Sequence, residues 1–89
     1  MIFGFGKFKI SGHSMEPNFY EGDLVLAFRF LPIKTRDVIV FKYFGKTLIK
    51  RVKSIQDGEY FLEGDNKKDT LPVGKILKKD IIGKVIFKV

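Results

Sequence analysis

Short runs of β-branched and aromatic residues, separated by turn residues, constrain the fold of this chain more than any other feature. Gly22-Asp23, Gly45 and Asp57-Gly58 separate such runs, and glycine and aspartate favour tight turns at these places. Turn signals at roughly 8–12-residue spacing are typical of an all-β sandwich or small barrel. The predicted strands are Lys7–Ser11, Asp23–Phe30, Asp37–Phe44, Lys46–Ile55, Glu59–Glu63 and Ile81–Val89.

Two regions have more specific expectations. Residues 37–55 are expected to form a hairpin that turns at Gly45. Residues 71–80 are expected to be irregular, with a helical turn near Lys78–Asp80. No linker, repeat or change in composition divides the chain, so residues 1–89 are predicted to form a single domain.

The composition excludes several kinds of site. The chain has no cysteine, which rules out disulfides and thiolate metal sites, and a single histidine disfavours structural zinc. We therefore expect no metal and no cofactor. A domain of 89 residues has a thin core, and its 45% apolar content with ten phenylalanines compensates for this.

The charge is basic, with 17 Lys and Arg against 10 Asp and Glu, a net charge of +7. This balance favours acidic partners, namely nucleic acid, an anionic membrane surface or an acidic protein. The longest apolar stretch, Met1 to Ile10, includes two glycines and two lysines and falls short of the ~20 residues that span a bilayer. It also lacks the features of a cleavable signal. We therefore expect a cytoplasmic or membrane-peripheral location.

A polar turn, Ser11-Gly12-His13-Ser14-Met15-Glu16-Pro17, directly follows the run Phe8-Lys9-Ile10. Glycine lets the backbone bend, and proline fixes φ and ends a regular ladder. A serine held by such a turn can act as a nucleophile, because attack requires a fixed geometry. Taken alone, such a serine more often caps a helix or bonds its own backbone. His13 has no evident acidic group to orient it as a base.

Lys50 lies in the predicted strand Lys46–Ile55. Alternate residues of a strand share a face, so Lys50 lies between Leu48 and Val52 on one side. Burial there disfavours the charged amine, and a fall of its pKa from ~10.4 to ~8 corresponds to about 3 kcal/mol. A neutral amine can serve as general base for a serine hydroxyl. Alternatively, the stem packs and the ammonium group reaches water at a sheet edge.

Five sequence blocks resemble the signal peptidase I family of serine peptidases, in the order of that family and over about residues 9–89. They are Gly12-x-Ser14-Met15-x-Pro17, Gly22-Asp23, Ile49-Lys50-Arg51-Val52, Gly64-Asp65-Asn66 and Ile82-Gly83-Lys84-Val85. The resemblance implies a mostly β fold of twisted antiparallel sheets that form a partly open barrel. It also implies a dyad in which Ser14 attacks the scissile carbonyl and Lys50 takes its proton.

The resemblance implies further site residues. The backbone amide of Ser14 would donate to the oxyanion, Met15 would position the serine, and Gly64, Asp65 and Asn66 would shape the surroundings of the lysine. The substrate would be a precursor protein, bound as an extended strand and cut after small side chains to remove a leader or amino-terminal extension. The enzyme could also contact an anionic membrane or an anchoring partner.

Three features depart from the family pattern. Gly12 stands where many bacterial members have a hydroxyl residue that assists the oxyanion hole. Members often have a Ser-x-Asp-Ser-Arg segment after Gly-Asp-Asn, which Asp69 and Thr70 would replace only in part. The membrane anchors and the extra β domain of typical bacterial members are missing, so the chain resembles a bare catalytic core. Small soluble members of the family, similar to nickel-superoxide-dismutase maturation proteases, have this form.

Two alternatives stay open. Self-cleaving domains of SOS-type repressors share the Ser/Lys dyad, but their Ala-Gly or Cys-Gly cleavage dipeptide does not occur among the 13 residues before Ser14. A small basic β-barrel could instead bind nucleic acid by aromatic stacking, although the ordered blocks disfavour this. Its candidate residues are Phe28, Phe30, Phe41, Tyr43 and Phe44.

Overall fold

The computed structural model describes residues 5–68 and 74–89, and these residues form seven β-strands and one short 3₁₀-helix. The elements are β1 (Phe5–Lys9), β2 (Leu24–Phe28), β3 (Val38–Tyr43), β4 (Lys46–Gln56), β5 (Glu59–Glu63), β6 (Lys75–Leu77), the 3₁₀-helix Lys78–Asp80 and β7 (Ile81–Lys88). No helix in this part of the chain is long and apolar enough to cross a membrane.

All seven strands belong to one antiparallel sheet, in the order β1-β2-β7-β3-β4-β5-β6. The last strand, β7, lies in the middle of the sheet and joins β2 to β3. Within the described residues β1 and β6 are the two edges, so the sheet is open. The prediction of a mostly β single domain is confirmed, and the strands form one open sheet.

The predicted hairpin of residues 37–55 is confirmed, a second hairpin follows it directly, and the turns of both explain the register. Tyr43 pairs with Lys46 across a two-residue turn, and Gln56 pairs with Glu59 across another. Both residues of each turn have positive φ: 48° and 77° in the first, 50° and 77° in the second. This conformation matches the right-handed twist of the flanking strands. The turn residues are Phe44-Gly45 and Asp57-Gly58.

Several predicted boundaries were wrong by a few residues. The first strand is Phe5–Lys9, so Ser11 lies outside it, and the second ends at Phe28 because the chain turns at Arg29 and Phe30. β5 agrees with its prediction residue for residue. The helical turn at Lys78–Asp80 is also confirmed.

β6 was not predicted. Its three residues, Lys75–Leu77, lie in the region expected to be irregular, and they pair with Glu59–Phe61 of β5. Ile76 is buried while its two neighbours are exposed. A strand this short has too few residues for a periodic signal, so pairing with β5 decides its conformation.

The core fixes β4 against its neighbours. One cluster of buried apolar side chains comes from β3, β4, β5 and β6, and comprises Ile39, Phe41, Val52, Leu62 and Ile76. Ile10, Met15, Val25, Ala27 and Val40 are buried as well. β2 and β7 approach closely at Gly83, where a Cβ would lie 3.0 Å from the backbone of Phe28. The core thus holds the segment around Met15 and strand β4 in fixed positions.

Candidate active site

The loop that contains Ser14, here called the serine turn (residues 11–21), begins and ends beside Ile10, which is hydrogen-bonded to Gly22 and Asp23. The amide of Ile10 donates to the carbonyl of Asp23 at 2.8 Å, and the amide of Gly22 donates to the carbonyl of Ile10 at 2.9 Å. Residues 11–21 therefore leave the sheet and return to it as a closed loop. Gly12 has a φ of +84°, a conformation that glycine adopts without the penalty of a side chain.

Met15 holds the loop to the protein interior. Its side chain is buried, and its carbonyl accepts hydrogen bonds from the amides of Asn18 at 3.0 Å and Phe19 at 2.9 Å. Because Ser14 directly precedes this anchor, its backbone has little freedom. Met15 therefore lies where a positioning residue is needed.

Lys50 is buried in the middle of β4. Its side chain is 6% exposed, and it is the one buried charged side chain among residues 5–68 and 74–89. It pairs with the fully buried Ile39 of β3 and lies between Leu48 and Val52 on its own strand. The prediction of a lysine on an apolar face is confirmed, and the alternative of a solvated ammonium group at a sheet edge was wrong.

The side chains of Ser14 and Lys50 both lie beside Gly64. A Cβ built on Gly64 would lie 3.4 Å from Nζ of Lys50 and 3.5 Å from Cβ of Ser14. Both atoms are thus close to one point in space, although their residues are 36 positions apart in the chain. The same Cβ would lie 2.8 Å from the carbonyl oxygen of Ser14, closer than any real side chain could be. Glycine at position 64 therefore lets this loop approach the backbone of Ser14.

Asn66 fastens this loop to the serine turn. Its backbone amide donates to the carbonyl of Ser14 at 2.8 Å, and its side-chain Nδ2 donates to the carbonyl of His13 at 2.9 Å. Its Oδ1 accepts a hydrogen bond from the amide of Lys68 at 3.0 Å. Two consecutive carbonyls of the turn are thereby fixed.

Asp65 ties the same loop to β4. Its carboxylate accepts hydrogen bonds from Nε and Nη2 of Arg51 at 2.7 and 2.8 Å, and from Nδ2 of Asn18 at 2.8 Å. Nη1 of Arg51 donates to the carbonyl of Arg36 at 2.7 Å. Burial alone would raise the pKa of Asp65, but the hydrogen bonds from Arg51 and Asn18 and the charges of Arg51 and Arg36 lower it overall. The carboxylate therefore remains charged and keeps the loop in place.

Asn18 was not among the predicted site residues, and Arg51 had no predicted role. Arg51 belongs to the block that contains Lys50, which is a signal that could have been used. Asn18 is 47 residues from Asp65, and no local pattern marks their contact. The hydrogen bonds that Arg51 donates to Asp65 raise the pKa of Arg51 above its ordinary value, so this ion pair is charged on both sides.

His13 does have acidic neighbours, which corrects the sequence analysis. Its Nδ1 contacts a carboxylate oxygen of Glu16, and its Nε2 lies 3.5 Å from Glu21. The imidazole is exposed at the rim of the turn. Asp69 and Thr70 lie outside the described residues.

A cleft of about 640 Å³ leads to Ser14 and Lys50. One wall is the end of β1 and the serine turn, the other is the first half of β4, and Val40 lies between them. The lining residues are Phe8–Ser14, Val40 and Lys46–Lys50. β1 pairs only with β2, and β4 pairs with β5 only from Arg51 onward, among the residues described. Both walls therefore offer backbone groups that the sheet does not use.

The structure separates the aromatic residues considered for nucleic-acid stacking. Phe41 is fully buried and packs edge-on against Tyr43 at 6.5 Å, so it is not available to a base. Phe30 and Phe44 are each 88% exposed, but they lie in different turns. No group of three or more His, Cys, Asp or Glu residues that could hold a metal ion occurs in the described part of the chain.

The comparisons with known proteins identify a family. The family model described as "Peptidase S24-like" matches residues 6–86, which include both walls of the cleft, Ser14 and Lys50. A search of curated proteins finds no match. A match to this family indicates a serine peptidase or a self-cleaving protein. The narrower resemblance to signal peptidase I stays a prediction.

Proposed function

The chain belongs to the peptidase S24-like family, and on this premise we propose that it is a serine endopeptidase of the signal peptidase type. Ser14 is the nucleophile and Lys50 is the general base. The observation that carries this proposal is that the Ser14 side chain and Nζ of the buried Lys50 both lie within 3.5 Å of one point, the Cβ position of Gly64. A hydroxyl and an amine held in a buried site are what a serine–lysine dyad requires.

The reaction has two halves. Nζ of Lys50 takes the proton of the Ser14 hydroxyl while Oγ forms a bond to the scissile carbonyl carbon. The amide of Ser14 donates to the oxyanion, the C–N bond breaks, and Lys50 returns the proton to the leaving amine. Water then attacks the acyl-enzyme, Lys50 takes a proton from this water, and the proton returns to Oγ as the ester bond breaks.

The burial of Lys50 supports this role. A buried amine loses the hydration of its charged form, and the neutral form is therefore favoured relative to a lysine in water. We expect the cleavage rate to rise with pH as Lys50 loses its proton, provided that the chemical step limits the rate. A rate that is flat from about pH 6 to pH 10 would argue against a lysine base.

The cleft supports an extended protein segment as the substrate. The unpaired edges of β1 and of residues 46–50 of β4 can form backbone hydrogen bonds with an added strand. Phe8, Ile10, Val40 and Leu48 give the cleft an apolar lining. We propose that the substrate is a precursor protein that loses a leader or an amino-terminal extension, cut after a small side chain.

The test is mass spectrometry of a proteome-derived peptide mixture incubated with the wild type and three variants. Ser14→Ala and Lys50→Ala should abolish the new termini that the wild type creates. Lys53→Ala changes an exposed lysine on the same strand and should cleave at the wild-type rate. Wild-type cleavage by either dyad variant would refute the assignment. The residues before the cut then define the specificity.

A self-cleaving activity is the second candidate, because the family includes it. The same dyad would then act on a peptide bond of its own chain. Intact-mass measurement of the purified wild type over time distinguishes the two. Loss of a terminal fragment at a rate that does not depend on protein concentration would indicate self-cleavage, and Ser14→Ala should stay intact.

A further inference from the structure

A continuous apolar surface lies on the outer side of β1, β2 and β7. Val25 and Ala27 of β2 are fully buried, and the residues that alternate with them therefore point to the opposite side. Residues directly opposite one another in an antiparallel pair share a face, and the register extends this face to Phe5 of β1 and Phe87 of β7. The outer apolar face comprises Phe5, Leu24, Leu26, Phe28 and Phe87.

Two side chains of this outer apolar face are exposed, and Leu24, Leu26 and Phe28 are partly buried. Phe87 is 58% exposed and Phe5 is 44% exposed. The rings of Phe5 and Phe28 stack with their centroids 5.5 Å apart, so the apolar area is contiguous across two strands. A contiguous exposed apolar area indicates an interaction surface, whereas scattered single residues do not.

Phe30 lies in the turn that directly follows β2, two residues after Phe28. It is 88% exposed, and its φ of 64° places a bulky residue in the left-handed region. The exposed ring is therefore available to a partner surface. The guanidinium of Arg29 lies 5.2 Å from the centroid of the Phe30 ring, which places a cation beside the aromatic tip.

The charges on this surface are positive. Lys7 pairs with Leu26 and Lys9 pairs with Leu24, so both lysines lie on the outer apolar face, and both are exposed. The sequences of β1, β2 and β7 contain no acidic residue. Lys84 and Lys88 of β7 are paired with Asp37 and Asp23. For Lys7 and Lys9, no carboxylate of the described residues lies within ion-pair distance.

We propose that the outer apolar face docks the protein on an anionic phospholipid membrane. Aromatic rings flanked by lysine and arginine are suited to the boundary between headgroups and acyl chains, where the rings enter and the cations meet phosphate. A second copy of the chain is a poorer occupant, because a two-fold contact would bring the lysines of both copies together. Phe5, Phe30 and Phe87 are the residues that enter the membrane interface.

Docking would also position the cleft. Lys9 belongs both to the outer apolar face and to the lining of the cleft. A membrane-bound protein would therefore present the cleft at the lipid surface, where a segment close to a membrane could enter it. This inference goes beyond the proposed peptidase activity and does not depend on it, because lipid binding can be measured with the Ser14→Ala protein.

The experiment is flotation of the full chain with vesicles of phosphatidylcholine alone and with about one third phosphatidylglycerol. We expect binding to the anionic vesicles that weakens at high salt. Phe30→Asn should lower the partition coefficient about tenfold, since burial of a phenyl ring is worth at least that factor. Asparagine tolerates a positive φ, so this variant should keep its melting temperature. Phe87→Thr should act in the same way as Phe30→Asn.

A matched control comes from the other exposed turn. Phe44 is also 88% exposed and also has a positive φ, of 48°, but it lies at the tip of the β3–β4 hairpin, outside the docking strands. Phe44→Asn should bind as the wild type does. Lys7→Gln should lower binding about fivefold, since one lysine near an anionic surface is worth that factor.

Three results would overturn the proposal. One is a lack of binding to anionic vesicles, and another is an equal loss with Phe44→Asn and Phe30→Asn, which would mean that any exposed ring suffices. The third is a dimer in sedimentation experiments that Phe87→Thr dissociates, because a second copy would then cover the face. Loss of vesicle binding without loss of peptide cleavage would leave the peptidase proposal intact.

Discussion

A methyl group at position 64 should disable the site while leaving most of the fold intact. The Cβ of Gly64→Ala would lie 2.8 Å from the carbonyl oxygen of Ser14, so the loop, the serine turn or both must move by several tenths of an ångström. It would also touch Nζ of Lys50 at 3.4 Å and Cβ of Ser14 at 3.5 Å. Since a misplacement of about 1 Å can cost 10²-fold in rate, we expect kcat to fall about 10- to 100-fold.

The stability cost should be modest. Overpacking at one position typically costs about 1–3 kcal/mol, and the hydrogen bonds of Asn66 to the turn can accommodate part of the shift. The assay is kcat/KM on the peptide that the wild type cleaves best, together with the melting temperature. Gly74→Ala is the matched control, because no atom lies within 4 Å of its Cβ position. Wild-type kcat in a Gly64→Ala protein would refute the geometry from which the dyad is inferred.

Three further predictions concern the same region. Asp65→Asn should destabilise the protein at neutral pH by about 1–3 kcal/mol, because Arg51 loses its charged acceptor. The pKa of Asp65 is lowered on folding, so its contribution is present above its ordinary value of 3.8 and is lost as the pH falls through the lower folded value. As the pH decreases below 3.8, the melting temperature of the wild type should therefore fall more steeply than that of Asp65→Asn. Lys50→Met should abolish cleavage while the free energy of unfolding, from denaturant titration, stays equal or rises, since an apolar side chain suits this position. Gly12→Ser should lower stability by about 1 kcal/mol through its positive φ and should not speed cleavage; faster cleavage would mean that a hydroxyl can still reach the oxyanion there.

Local sequence chemistry predicted those elements whose conformation is decided locally. Asp57-Gly58 specifies a two-residue turn, and the strand that follows it, β5, agrees with its prediction at both ends. The burial of Lys50 followed from the alternation of Leu48 and Val52 on a strand that was itself well predicted. In both cases a short local pattern was enough to predict the structural feature.

Features that depend on distant contacts could not be predicted in this way. β6 is a strand because β5 offers it an edge, and β7 occupies the middle of the sheet because β2 and β3 both pair with it. The contact of Asn18 with Asp65 spans 47 residues, and neither residue type is unusual in a loop. The family resemblance implied that residues 64–66 shape the surroundings of Lys50, but the hydrogen bonds of Asn66 to the turn around Ser14 are visible only in three dimensions.

Gly12 and Gly64 illustrate why a departure from a family pattern needs a physical reason before it is interpreted. In the sequence, Gly12 stands where many bacterial members of the family have a hydroxyl residue. Without that hydroxyl, backbone donors alone would stabilise the oxyanion. In the structure its φ of +84° is one that a serine would adopt only with strain, while the space around its Cβ is empty. At Gly64 the requirement for glycine comes from space, because the Cβ of another residue would lie only 2.8 Å from the carbonyl oxygen of Ser14. The backbone at Gly12 is thus part of how this chain shapes the turn, and a serine there would strain the turn that positions Ser14.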